Sequence, residues 1–302
     1  MPGKAVVVTD STASLPPEVA EERRIVVVPL QVVIGATVYD EGPGGATPEM
    51  VAEALKEFRP VSTSRPSPAY LAEVYAEAAA GGAEEILSVH LSAEMSGTYE
   101  SALLAAREAP VPVTVVDSRQ VGVATGYAAL SAAEVLDGGG SVADAADAAR
   151  ARAESATALF YVDTLEYLRR GGRIGAAAAL LGGALSVKPL LRIAEGRVVN
   201  LDRVRTSARA LSRMGDLIVE AAADEPVDLC VSHLANPDRA AELAHGLSER
   251  LAENLQGREV WCGELGAVLG AHVGPGMVAV CVAPLVSAPF SPGSQAQAPS
   301  TG

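Results

Sequence analysis

The sequence predicts a two-domain α/β protein, with a parallel-sheet N-terminal domain and a mixed α/β C-terminal domain. Three observations point there. Short apolar runs alternate with helical stretches through the first half, the pattern of βαβ units and a parallel sheet. From about Ala158 the candidate strands crowd together and include a hairpin signal. The 302 residues, 49% hydrophobic and 20% charged, are enough for two cores at roughly 150 residues per domain.

Taken in order, residues 5–9 (AVVVT) form a continuous apolar run that ends in the polar turn Asp10-Ser11-Thr12, a buried parallel strand feeding a helix start. Strand runs follow at Ile25–Pro29, Ile86–Leu91 and Val113–Asp117, alternating with helical stretches at Pro48–Phe58, Pro68–Ala80, Ser96–Glu108 and Gly122–Leu136. Ligands of such sheets sit beyond the C-terminal ends of the strands. After Gly138-Gly139-Gly140 a helix over Val142–Ser155 bridges to the second half. There the strand candidates are Ala158–Asp163, Val187–Ile193, Arg197–Leu201, Val227–Ser232, Arg258–Trp261 and Met277–Ala283, with Ala194-Glu195-Gly196 as a hairpin turn. Helices at about Thr206–Ala223 and Pro237–Glu253 pack on them. The expected domains are 1–157 and 158–286, and the Ser/Pro/Gln-rich stretch 287–302 reads as a disordered tail.

Composition narrows the function. Aromatics are 4% of residues, with one Trp, so the core is aliphatic and base stacking on nucleic acid is disfavoured. The cysteines, Cys230, Cys262 and Cys281, are odd in number and far apart, which argues against a disulfide framework or a zinc site and for reduced, cytoplasmic thiols. No metal or cofactor is expected. The apolar stretches 174–187 and 277–288 fall short of the roughly 20 residues that cross a bilayer, so no transmembrane segment is expected, and only transient membrane contact is compatible with the chain. Net charge is −14, yet Arg169 to Arg213 holds ten Lys/Arg against two acids. A basic island in an acidic chain suggests a local anionic partner, or else a solvated face of mixed helices.

No P-loop and no Gly-x-Ser-x-Gly elbow is present. Small hydroxyls and glycines at turns remain. In Ser62-Thr63-Ser64-Arg65-Pro66-Ser67 the hydroxyls exceed what one helix cap needs, so Thr63 is left to donate outward. Ser92 through Tyr99 follows a strand and opens a helix, where backbone N–H groups and Ser96 either meet an anion or simply cap the helix. Gly270-Ala271-His272-Val273-Gly274-Pro275-Gly276 places His272 on a tight loop before the last strand.

These segments, together with Thr9-Asp10-Ser11-Thr12, Val28-Pro29-Leu30 with Tyr39, Val116-Asp117-Ser118, Leu168 through Ile174, Lys188-Pro189 and Arg205-Thr206, resemble the DegV family in kind and order over residues 5–284. The resemblance implies a two-domain α/β fold that binds one long-chain fatty acid. In FakB-type members that acid is presented to a separate ATP-dependent fatty acid kinase, which makes an acyl phosphate, so the chain itself is expected to have no turnover. It places the carboxylate on Thr63 and Ser96, beside Ser64 and Gly97, with His272 close by, and assigns kinase docking to Arg173 and to Arg205 or Arg203. Ser155–Leu165 and Ala176–Leu185 depart from the family's usual texture, which leaves the acyl-chain preference open.

The physics suits such a ligand. A buried carboxylate is costly unless hydrogen-bonded, and two hydroxyls with a histidine supply that. The tail contributes roughly 0.8 kcal/mol per buried CH₂, and the apolar run 174–191 is the expected lining. The competing readings are a Ser/His-dependent lipid hydrolase using Ser96 and His272, and a nucleic-acid regulator using the basic island, which the net acidity disfavours.

Overall fold

The computed structural model describes residues 4–180 and 188–285. Its first layer is a parallel sheet in the order β2-β1-β6-β7, from β1 (Ala5–Asp10), β2 (Val26–Val28), β6 (Glu85–His90) and β7 (Val113–Asp117). Both faces are covered, which is why these strands read as unbroken apolar runs. Val8 and Ile86 pack with Leu71 and Tyr75 of α3 (Pro68–Ala80) and Ala102 of α4 (Thr98–Ala106). Val7 and Leu87 face the alanines of α5 (Val123–Asp137) and α6 (Val142–Ser155). Neighbouring residues of β1 thus serve opposite faces, as the two-residue period requires. A short α1 (Pro17–Glu22) joins β1 to β2.

A small antiparallel sheet in the order β4-β3-β5, from β3 (Gln31–Ile34), β4 (Thr37–Asp40) and β5 (Val61–Ser64), is an addition to the predicted elements. The segment 62–67, read as a helix-to-helix turn, supplies β5. Its Val61 and Thr63 share one face, and the strand forms because β3 pairs with it, a partner thirty residues away in sequence. The helix α2 (Pro48–Lys56) covers this sheet.

The second large sheet runs β10-β9-β8-β13-β11-β12 and is antiparallel except for the β11/β12 pair. It comprises β8 (Thr157–Tyr161), β9 (Lys188–Ala194), β10 (Arg197–Val204), β11 (Val227–His233), β12 (Trp261–Glu264) and β13 (Val278–Pro284). The hairpin at Ala194-Glu195-Gly196 forms as predicted, with Glu195 and Gly196 both at positive φ. The last strand before α11 begins at Trp261, where the expectation ended, because Trp261 pairs with Cys230 and fixes the register. One face of this sheet is closed by α8 (Ser207–Ala222) and α9 (Pro237–Arg250), with α10 (Ala252–Leu255) following. The other carries Phe160, Leu191 and Val198 toward the short α7 (Glu166–Arg170).

The segment bearing His272, read as a tight loop, is the helix α11 (Ala267–Val273). Its Ala267, Val268 and Ala271 bury against Leu30, Val32 and Val51 of the small sheet and α2, and that burial outweighs the weak helix propensity of its glycine. The expected tail 287–302 lies outside the described residues.

Candidate functional site

The N-terminal turn positions two of the site's loops. Asp10 Oδ1 accepts hydrogen bonds from the Thr12 N–H (3.1 Å) and hydroxyl (2.5 Å), while Oδ2 accepts from the Leu91 N–H at 3.1 Å. Oδ2 also meets His90 Nδ1 at 2.9 Å. His90 Nε2 lies 2.8 Å from Ser88 Oγ, which accepts from the Tyr75 hydroxyl at 2.9 Å. With the proton on Nδ1, every polar group of this relay is paired. Ser11 Oγ accepts the Leu30 N–H at 3.0 Å. The turn therefore anchors the start of the Leu91–Gly97 loop and the entry to β3, whose partner β5 carries Thr63.

Helix α11 brings His272 to that strand. Thr63 Oγ1 and His272 Nε2 are 2.9 Å apart although 209 residues separate them. Glu41 holds the other end of the helix, Oε1 accepting the Val268 N–H at 2.8 Å. Burial, and then the Arg173 charge, lower the His272 pKa to about 4, so the ring is neutral at pH 7. Its Nδ1 is buried without a hydrogen-bond partner among the described residues and sits where a Cβ on Gly171 would overlap it. A neutral imidazole bonded to a hydroxyl shares one bond between two protons, so the pair keeps one donor to offer.

Ser96 precedes α4, whose N-cap is Gly97. Its Oγ is 2.8 Å from the Thr98 hydroxyl and accepts the Thr98 N–H at 3.3 Å, an interaction inside its own turn rather than a plain N-cap. The loop is held from the second sheet as well. Ser92 Oγ donates to the Gly196 carbonyl at 2.8 Å, and the Arg197 guanidinium binds Glu94. Two further guanidiniums grip the loop at the site. Arg65 Nη1 donates to the Gly97 carbonyl at 2.9 Å and Arg173 Nε to the Met95 carbonyl at 3.0 Å.

Thr63, Ser64, Ser96, Gly97, His272 and Arg173 all line one cavity of about 460 Å³, within the size range of ligand pockets. Its walls are largely apolar, from Leu30 before β3, Leu91 just after β6, Phe160, Ile193 and Ala279 of the second sheet, and Leu269 and Val273 of α11. The lining thus comes from strands of the second sheet, from α11 and from the segments between elements, none of which the sequence analysis named as lining. Of the run 174–191, residues 181–187 lie outside the described residues and the described remainder does not line the cavity. Leu190 instead packs under α8 and α9. Cys281, also in the wall, has its thiol pushed up to about 12 by burial, which leaves it protonated and unreactive.

Arg203 and Arg205 stand apart from the cavity lining, exposed at the end of β10 and just before α8. The basic island is also less basic in space than in sequence. Glu166 takes Arg169 and Arg170, Asp163 takes Lys188, Glu94 takes Arg197 and Asp202 faces Arg213. The residue that sequence reasoning passed over is Arg65. Its signal was a cation inside the hydroxyl-rich segment that was already singled out.

The hydrolase reading fails here. Ser96 Oγ bonds Thr98, His272 Nε2 bonds Thr63, and no carboxylate among the described residues orients His272 Nδ1, so nucleophile, base and orienting acid are not assembled there. Among the described residues no three His, Cys, Asp or Glu side chains gather as a metal site, and no helix is long and apolar enough to cross a membrane.

A parallel sheet and a mixed sheet enclosing an apolar cavity, with hydroxyls and a neutral imidazole at one end, define a two-domain mixed α/β protein with a built pocket. The chain belongs to the DegV family: the profile of that family, described as uncharacterised proteins, matches residues 4–285. It is similar to a DegV domain-containing protein of Streptomyces coelicolor, 50% identical over 277 residues that span 91% of this chain and 97% of that one. Among solved structures it is similar to a DegV family protein from Thermus thermophilus reported for its fatty acid binding (TM-score 0.86, 34% identity, 93% of this chain and 100% of that one). It is also similar to DegV from Bacillus subtilis, a fatty acid binding protein (TM-score 0.85, 32% identity, 94% and 100%).

Proposed function

We propose that this chain binds one long-chain fatty acid, with the hydrocarbon tail in the cavity and the carboxylate at Thr63 and Ser96 beside Ser64, Gly97 and His272. The observation that carries this is the Thr63–His272 pair, 2.9 Å apart in the lining of a largely apolar cavity of about 460 Å³. The two related structures that bind fatty acids support it. Affinity comes chiefly from the tail, at roughly 0.8 kcal/mol per buried CH₂, offset by several kcal/mol of ordering cost. The head needs only charge-assisted hydrogen bonds, from the spare Thr63–His272 donor, the Ser96 hydroxyl and the N-terminal turn of α4.

The protein acts as a carrier without turnover of its own. It presents the carboxylate to a separate ATP-dependent kinase, whose γ-phosphate the carboxylate oxygen attacks, releasing ADP and leaving an acyl phosphate. Arg173 at the cavity mouth, with the exposed Arg203 and Arg205, faces that kinase. Protein purified from a bacterial host and extracted with organic solvent is expected to release fatty acid detectable by mass spectrometry. A protein that is empty and also ignores added palmitate contradicts the lipid reading. Incubated with ATP and oleate but no kinase, the chain is expected to form no acyl phosphate, and product there contradicts the carrier reading.

A further inference from the structure

We infer that the tip of the β9–β10 hairpin is a positioning element for the fatty-acid head: through Ser92 it sets where the Ser96 hydroxyl stands. This rests on the fatty-acid reading above and adds the residues that place one of its two hydroxyls. Thr63 is placed by a sheet, because β5 pairs with β3. Ser96 lies on the loop between β6 and α4, which is part of no strand, so its place is set by what that loop is tied to.

Ser92 anchors the loop. It is fully buried, and its backbone and side chain are both in use. Its N–H donates to the Gln120 carbonyl at 2.8 Å, and its carbonyl accepts the N–H groups of Met95 (3.0 Å) and Ser96 (3.1 Å). Its Oγ accepts the Glu94 N–H at 3.2 Å and donates to the Gly196 carbonyl at 2.8 Å, although 104 residues separate Ser92 from Gly196. Two hydrogen bonds, through one serine, therefore join the hairpin tip to the backbone of Ser96. Arg197, the next residue of the hairpin, adds an exposed ion pair to the same loop, its Nε donating to Glu94 Oε2 at 2.8 Å.

The hairpin does not need these contacts to form, since its own ladder runs from the Ala194–Arg197 pair to the Lys188–Val204 pair. The turn is nonetheless shaped for them. Gly196 is buried at φ +77°, and a Cβ there would overlap Ser92 Oγ, so the residue that makes the turn also admits the serine. Removing the serine hydroxyl takes its donor from a buried carbonyl, and the loop or the hairpin must shift to pair it again. The same hairpin walls the cavity. Ile193 and Val198, which pair one step in from the turn, both line it. One element thus meets the tail with its strands and steadies the head with its tip.

The test compares palmitate with 1-hexadecanol, which has the same chain length and no charge, by equilibrium binding of the radiolabelled ligands. Ser92→Ala is expected to weaken palmitate about fivefold and 1-hexadecanol less than about twofold, because a misplaced Ser96 hydroxyl matters most to a charged head. Gly196→Ala acts from the other side of the same contact and is expected to show the same selectivity. Arg197→Gln breaks only the exposed ion pair, which leaves folding secure, and is expected to weaken palmitate about twofold. Thermal unfolding shows which variants are folded, and where the two buried ones are not, Arg197→Gln carries the test. Palmitate affinity that is unchanged in the folded variants, or lost in step with 1-hexadecanol, overturns the positioning role and leaves the fatty-acid reading intact. A native protein that binds no palmitate overturns that reading and the positioning role with it.

Discussion

Two hydroxyl–histidine pairs of similar length stand in this molecule, and they have opposite surroundings. Ser88 and His90, 2.8 Å apart, belong to a relay from Tyr75 to Asp10 in which all four side chains are buried and every group is bonded. Thr63 and His272, 2.9 Å apart, sit half-buried at the rim of a cavity, with one imidazole nitrogen unpartnered among the described residues. The first has the residue types of a catalytic triad and no room for a substrate. The second has the room and no third member. A saturated polar network buried on all sides holds strands and loops in place, whereas an unsaturated pair beside an apolar cavity has a donor left for a ligand.

This contrast predicts different losses. The largest belongs to the buried relay. Asp10→Ala strands His90 and two backbone-holding contacts in the interior and is expected to cost about 3 kcal/mol or more in urea unfolding. A loss below about 1 kcal/mol would mean that the relay is not what fixes the strand ends. At the rim, Thr63→Val and Ser96→Ala are each expected to weaken palmitate binding about tenfold while the thermal midpoint barely moves. If these variants instead unfold the protein and leave affinity intact, the roles of the two pairs are reversed.

A pH titration sharpens the same comparison. His272 titrates near 4 in the folded protein, against an ordinary value of 6.5. The unfolded chain therefore takes up this proton first, so the group's contribution to stability is complete above about 6.5 and is lost progressively as pH falls toward 4. A carboxylate bound beside the ring favours the charged form and raises that midpoint. NMR of the imidazole with and without palmitate measures it, and an unmoved midpoint places the acid elsewhere. The smallest effect belongs to Glu41, whose burial raises its pKa while Oε1 caps α11. Glu41→Gln keeps an acceptor there and is expected to change stability by less than about 1 kcal/mol, read by thermal unfolding.

The sequence disclosed the parts of the molecule whose cause is local. The parallel strands show as apolar runs because both faces of their sheet are covered, and Ala194-Glu195-Gly196 shows as a turn because Gly196 takes positive φ without strain. What it hid depends on distant partners. Residues 61–64 are hydroxyl-rich and become a strand only through β3. The stretch 270–276 reads as a glycine loop, yet its first four residues close the helix α11 because that helix's small residues fit against the small sheet, Gly270 close under Leu234, and only 274–276 turn. The candidate residues Thr63, Ser96 and His272 were legible as chemistry, but the cavity between them was not, since its walls are apolar strand, helix and loop residues with no mark to separate them from ordinary core. Arg65 was hidden in plain view, because a lone arginine in a turn gains meaning only from the carbonyl it meets.

The most direct test is a crystal structure of the chain with palmitate. The account predicts the tail inside the cavity walled by Phe160, Ile193 and Ala279, and the carboxylate at roughly 3 Å from the Thr63 and Ser96 hydroxyls with His272 alongside. A fatty acid bound in the reverse sense, with its methyl end at Thr63, or seated outside this cavity, would contradict it.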